Sequence, residues 1–271
     1  MNATPAFDYT GKVVFVAGGT GGINLGVAER FAQAGAALAV LSCKQDKVDA
    51  AVAHLSAIAP KAVGFAADVR DFEAVKAAFA GAAEALGPVD VVVSGAAGNF
   101  PAFAEAISSN GFRAVLEIDA LGTFHVMRAG FDVVRKPGGV LINISAPQAW
   151  TPMQMQAHVC AAKAGVDMIT KTLAMEWGAH GLRVNSISPG PIQSTEGMDR
   201  LAPTPELKET VRKTVPLARM GEASEIGDAA LFLASPAAAY ITGAVLPVDG
   251  GWGLAGAGVA TEKMIAAFRG D

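Results

Sequence analysis

The sequence predicts a doubly wound α/β fold of Rossmann type: a seven-stranded, mostly parallel sheet with helices on both faces, in a single domain. Three observations predict it. Hydrophobic residues make up 52% of the 271-residue chain and charged residues 17%, a composition that suits strands buried on both faces and excludes disorder. Short β-branched runs alternate with longer alanine-rich stretches, the pattern of repeated βαβ units. The first run leads straight into a glycine-rich turn. No polar linker or composition shift divides the chain, so residues 1–271 read as one domain, a length that α/β folds often place around one core.

In chain order, strands are expected at 13–17, 37–41, 62–67, 89–94, 140–144, 183–188 and 245–248. Helical patterns lie between them, roughly at 23–34, 45–59, 71–86, 110–135, 153–179 and 222–234. Right-handed crossovers between neighbouring strands make one parallel sheet the economical arrangement. The segment 190–221 breaks the alternation, carries Pro191, Pro203, Pro205 and Pro216, and follows the sixth strand. Doubly wound sheets bind ligands at that carboxyl edge, so this segment is expected to be a substrate lid.

A formal net charge of −4 and the lack of a polybasic stretch argue against nucleic acid and anionic membranes as partners. No apolar run reaches the roughly 18 residues of a membrane span. The first residues show no basic-then-apolar leader, and the last show no address tag. Cys43 and Cys160 lack metal-ligand spacing and are expected as buried small apolar residues in a reducing compartment. A cytoplasmic protein is the expectation.

The first strand runs into Gly18-Gly19-Thr20-Gly21-Gly22-Ile23-Asn24-Leu25-Gly26 and then a helix. Glycine admits positive φ and lets backbone amides approach a pyrophosphate, while a helix N-terminus favours negative charge. That context makes the turn a dinucleotide site, with Gly18, Thr20, Gly22, Ile23 and Asn24 at its phosphate end. Asn24 stands where a third glycine is expected. Asparagine tolerates a left-handed backbone; alternatively, its side chain contacts a phosphate or the floor of the site. The second strand ends Leu41-Ser42-Cys43-Lys44, with no acid to accept from a ribose hydroxyl. Ser42 and Lys44 suit a 2′-phosphate, so NADPH is expected over NADH. Asp68 and Val69, after the third strand, are placed for the adenine edge.

With Ala96-Ala97-Gly98 after the fourth strand and Pro189-Gly190-Pro191-Ile192 after the sixth, the chain resembles the short-chain dehydrogenase/reductase superfamily over about residues 10–252. The resemblance implies that Ala96, Gly98, Pro189, Gly190 and Ile192 join the cofactor site. It also implies a Ser, a Tyr-x-x-x-Lys pair and an Asn acting on a carbonyl. Aligned on Asn143 and Lys163-Ala164-Gly165, Lys163 takes the lysine position and Asp119 the asparagine position. Val159 stands at the tyrosine and Ala146 at the serine. Neither carries a transferable proton, so ordinary carbonyl chemistry is not expected.

One subgroup shares this pattern, and the chain is similar to peroxisomal-type 2,4-dienoyl-CoA reductases. The similarity lies in Ala96-Ala97-Gly98-Asn99-Phe100, in Asp119 followed by Gly122-Thr123-Phe124, and in His158 five residues before Lys163. Arg183-Val184-Asn185-Ser186, Thr195-Glu196-Gly197 and Arg200-Leu201 match as well. Asn24, Cys43 in place of an arginine, and the missing peroxisomal tail are departures.

The resemblance implies reduction of a conjugated C=C of an enoyl- or 2,4-dienoyl-CoA thioester. Lys163 then binds the nicotinamide ribose and adds charge near the thioester oxygen. Asp119 positions a protonating water, and His158 donates a hydrogen bond or relays the proton. Asn99 and Phe100 flank the nicotinamide, and Arg70 and Arg200 contact coenzyme A phosphates. Met153, Met155 and Met198 form an adaptable apolar wall. Two alternatives stay open: a reductase of a non-CoA enone, and a catalytically inactive dinucleotide-binding sensor or scaffold. The helices at 110–135 and 153–179 leave a large apolar patch on a monomer, and the resemblance implies a homotetramer.

Overall fold

In the computed structural model, which describes residues 7–257, the seven expected strands hydrogen-bond into one sheet. They are β1 (Val13–Ala17), β2 (Ala37–Ser42), β3 (Ala62–Ala66), β4 (Val91–Ser94), β5 (Val140–Ile144), β6 (Arg183–Pro189) and β7 (Val245–Val248). Their order is β3-β2-β1-β4-β5-β6-β7, and every neighbouring pair is parallel. Strand order reverses at β1 and β4, which places the ligand-binding crevice at their carboxyl ends. The terminal segments on which the leader and address-tag expectations rest fall largely outside the described residues.

The helices are α1 (Gly22–Gln33), α2 (Gln45–Ser56), α3 (Phe72–Leu86), α4 (Ser109–Leu116), α5 (Gly122–Val133), α6 (Ala157–Trp177), α7 (Glu196–Leu201), α8 (Pro205–Thr214) and α9 (Ala223–Ala234). The apolar runs read as strands because alternate residues face two cores. Val14 and Val16 of β1 pack under α1 and α9 with Phe31 and Ile226, whereas Phe15 faces α3 and α5 with Phe79 and Met127. Phe15 stacks on Phe79 with ring centroids 3.8 Å apart.

Three differences from expectation bear on the site. The run at 110–135 is not one helix: a π-helical turn, Glu117–Leu121, joins α4 to α5. The run at 153–179 becomes helical only at Ala157, so 153–156 are free to line a cavity. The proline-rich segment 190–221 contains two short helices, α7 and α8, capped by the Thr195 and Thr204 hydroxyls, which accept from the Met198 and Leu207 amides. No helix of the described residues is long and apolar enough to cross a membrane.

Candidate active site

Two adjoining clefts open at the carboxyl edge of the sheet, one of about 550 Å3 and one of about 580 Å3. The first runs from the glycine-rich turn across β2 to Lys163. Gly18 adopts φ +77°, and a Cβ there would stand 2.8 Å from the Ala96 nitrogen, so the close approach of this turn to the β4 loop requires glycine. Helix α1 starts at Gly22 with no side-chain cap and no acidic residue in its first turn. Its leading amides therefore keep their donors for an anion, and the cradle fits a dinucleotide pyrophosphate.

Thr20, Gly22, Ile23 and Asn24 line this cleft, as do Ser42, Lys44, Asp68, Val69 and Ala96. Asn24 is helical, so the left-handed alternative does not apply. Its Nδ2 donates to the Gly95 carbonyl at 2.7 Å, and the side chain forms floor between α1 and the β4 loop. Two cations that sequence reasoning did not place here join Lys44. Lys47 stands one turn along α2, close enough in sequence to be found by helical spacing. Arg70 lines this cleft and not the apolar one. Its guanidinium forks onto Asp68 at 2.5 and 3.0 Å, which holds the Asp68 carboxyl below the usual carboxylate range. Cys43 is exposed in the same cleft and Cys160 is half-buried, correcting the expectation that both are buried.

Lys163 lines the inner end, and Asp119 is buried against it. Lys163 Nζ donates to the Ile144 carbonyl at 3.1 Å and lies 3.2 Å from Asp119 Oδ2. Asp119 Oδ1 accepts from the Gly98 amide at 2.6 Å, while Oδ2 has the ammonium nearby but no aligned hydrogen bond. Asp119 sits inside the π turn, whose extra residue re-aims side chains relative to an uninterrupted helix. Val159 is buried one turn before Lys163, and Ala146 lines the second cleft. Ser145 lines both clefts and was missed by sequence reasoning, although it directly precedes Ala146. One turn beyond Lys163, Asp167 accepts from the Ser186 hydroxyl at 3.4 Å, and burial pushes its carboxyl up.

The second cleft is apolar, and Met153, Met155 and Met198 line it, as does Ala146. Pro189, Gly190 and Ile192 line this cleft, at the end of β6. Gln148 and Gln156 supply polar groups that sequence reasoning overlooked, because glutamine in an irregular segment carries no spacing signal. Arg200, on α7, lines both clefts; it donates to the Asn99 carbonyl at 2.9 Å and pairs with Glu196. Asn99 lines the first cleft, and its Oδ1 accepts from Gln156 at 3.0 Å.

Four expected residues line neither cleft: the buried Asp119, which reaches the first only through Lys163, and three more. His158 is fully buried, neither ring nitrogen has a hydrogen-bond partner, and its ring lies 4.4 Å from that of Phe100. Five residues along a helix is about 140° of rotation, so His158 turns away from the Lys163 face and is not placed to relay a proton. Phe100 packs on His158 and lines neither cleft. Gly98 touches the site through the hydrogen bond that its amide donates to Asp119.

The family described as enoyl-(acyl carrier protein) reductase matches residues 17–253. The chain is 39% identical over 251 residues to the peroxisomal 2,4-dienoyl-CoA reductase ((3E)-enoyl-CoA-producing) of Arabidopsis thaliana, covering 89% of this chain and 84% of the relative. It is 35% identical to the probable 2,4-dienoyl-CoA reductase ((2E)-enoyl-CoA-producing) of Bacillus subtilis, covering 89% and 96%. A crystal structure of a short chain dehydrogenase from Bacillus anthracis superposes with a TM-score of 0.81 at 35% identity, covering 89% of this chain and 96% of the other.

Proposed function

The chain belongs to the short-chain dehydrogenase/reductase family, and we propose that it is an NADPH-dependent reductase of the conjugated C=C of an enoyl- or 2,4-dienoyl-CoA thioester. The observation that carries this reading is the buried Asp119–Lys163 pair, whose lysine lines the inner end of the first cleft, together with Val159 and Ala146. A hydroxyl donor is missing from those two positions, while charge suited to a developing oxyanion is present. The relatives named 2,4-dienoyl-CoA reductase support the same substrate class.

The amides at the start of α1 and Lys163 would hold the dinucleotide, which when bound would supply a hydride. Lys163 presents its ammonium where a thioester oxygen gains negative charge. Asp119 fixes that ammonium from below, and its Oδ2 retains the acceptor capacity to hold a water that protonates carbon. The methionine wall seats an acyl chain and limits water. Lys44 and Lys47 beside Ser42, with no acid ending β2, support NADPH over NADH.

A second reading, reduction of a thioester-free enone, is favoured by one observation. Among the described residues, Arg200 is the single basic side chain lining the apolar cleft, and it is already engaged by Asn99 and Glu196. Incubation with NADPH and either 2,4-hexadienoyl-CoA or a cyclic enone separates the two. The first reading expects turnover of the thioester; turnover of the enone alone selects the second, and turnover of neither overturns both.

Exposed Leu121, Phe124, Met168 and Met175 on the α5–α6 side support a homotetramer. The unpaired cysteines support a reducing, cytoplasmic compartment.

A further inference from the structure

Asn24 and Gly95 occupy one space. Asn24 donates to the Gly95 carbonyl from 71 residues away, and a Cβ on Gly95 would lie 2.1 Å from Asn24 Oδ1 and 2.5 Å from its Cγ. A side chain at 95 and an asparagine at 24 therefore cannot coexist without movement. On the other side, a Cβ on Gly18 would stand 3.1 Å from Asn24 Nδ2. The carboxamide is wedged between the phosphate-binding turn and the loop that follows β4.

That loop leads to the catalytic pair. The Gly95 amide donates to the Ala17 carbonyl at 3.1 Å, the Gly95 carbonyl accepts from Asn24, and three residues later the Gly98 amide donates to Asp119. Residues 96–98 lie in no helix or strand, so side chains from two helices hold the loop: Asn24 from α1 at its start and Asp119 at its end. Asp119 in turn meets Lys163. A shift of the loop by a fraction of an ångström would move the amide that fixes the Asp119 carboxylate.

We propose that Asn24 is a positioning residue: it clamps loop 95–98 to the phosphate-binding turn, sets the Asp119–Lys163 pair relative to the bound dinucleotide, and works as a coupled pair with Gly95. The catalytic consequence rests on the reductase reading above, but the clamp itself does not. Asn24 is helical, so Asn24→Ala removes the clamp with no backbone conflict.

The test uses the full-length chain. Exchange of the Gly98 amide with solvent deuterium, followed without substrate, reads the clamp directly. Asn24→Ala is expected to speed Gly98 exchange by about 10-fold or more, while the β1 amides keep their protection. NADPH affinity, read by fluorescence, stays within about 3-fold, because the amides of the turn remain, whereas kcat falls about 10-fold or more with little change in KM. Gly95→Ala supplies the second arm. Alone it should lower the melting temperature through its clash with Asn24; combined with Asn24→Ala it should lower the melting temperature no further, a signature of direct coupling. Unchanged Gly98 exchange in Asn24→Ala, or a Gly95→Ala effect equal in both backgrounds, overturns the proposal. Faster Gly98 exchange in a protein that reduces no conjugated thioester keeps the clamp and rejects the substrate reading.

Discussion

Asp119 and Lys163 meet from two helices with Oδ2 and Nζ 3.2 Å apart, their side chains 0% and 8% exposed. Each charge is expensive to bury alone, and the pair is held in register by the Gly98 amide on one side and the Ile144 carbonyl on the other. An ion pair of this kind is weak evidence of stabilisation, but Lys163 lines the first cleft, which makes the pair a candidate for chemistry.

Removing one partner strands the other. Asp119→Ala is expected to cost about 3–5 kcal/mol in denaturant unfolding, because the ammonium loses its counter-charge while still buried. Asp119→Asn keeps the shape, and its effect should fall on chemistry. We expect kcat to drop about 100-fold or more, with NADPH affinity within about 3-fold. Full kcat in Asp119→Asn would remove Asp119 from the mechanism.

The stack of Phe79 on Phe15 carries the α3 side of the core, both rings being fully buried. Phe79→Ala should destabilise the protein by about 3–5 kcal/mol in chemical denaturation, through lost transfer energy and the remaining cavity. A cost under about 1 kcal/mol would mean that the neighbouring side chains collapse into the space.

Cofactor choice is expected to turn on the cations after β2. Lys44→Glu places a carboxylate where a 2′-phosphate is proposed to lie, and NADPH should bind about 10-fold or more weakly, a change of about 1.4 kcal/mol. NADH should bind as well as before or better. Equal losses for both dinucleotides, measured by fluorescence titration, would move the 2′-phosphate away from Lys44.

Asp167 introduces a pH dependence of known sign. Burial raises its pKa above the ordinary 3.8, with the Ser186 hydroxyl opposing. Between 3.8 and the raised value the native state binds more protons than the unfolded state, so this group makes stability fall as pH rises through that window. Below the window the penalty is absent. Relative to the natural chain, Asp167→Asn should therefore gain stability between about pH 4 and about pH 7 in urea unfolding. A difference that stays constant across the two would contradict the assignment.

Much of this architecture was legible in the sequence, for identifiable reasons. A strand such as Val13–Ala17, apolar at every position, reads unambiguously because both its faces are buried. The glycine turn reads because Gly18 needs both a positive φ and a close approach. The π turn did not read, because one extra residue in a helical run leaves the apolar pattern nearly unchanged. Helix α8 was signalled by Thr204 followed by Pro205, a cap and a first-turn proline, but the surrounding prolines suggested an irregular lid. The functional residues divide similarly. Lys163 and Asp119 could be placed by register, whereas the inward turn of His158 depends on helix azimuth. Arg70 belongs to the dinucleotide cleft because a tertiary crossing, absent from local spacing, brings the end of β3 beside β2.

In the proposed reaction, hydride reaches the conjugated carbons of a thioester while the proton comes from water held at the Asp119–Lys163 pair. Deuterium tracing by mass spectrometry tests this, using 2,4-hexadienoyl-CoA with NADPH deuterated at both nicotinamide C4 positions in ordinary water, and unlabelled NADPH in deuterium oxide. One deuterium is expected from the labelled cofactor in the first case, one from solvent in the second, and slow incorporation of both in Asp119→Asn. Absence of cofactor deuterium from the product, or incorporation unaffected by Asp119→Asn, would contradict it.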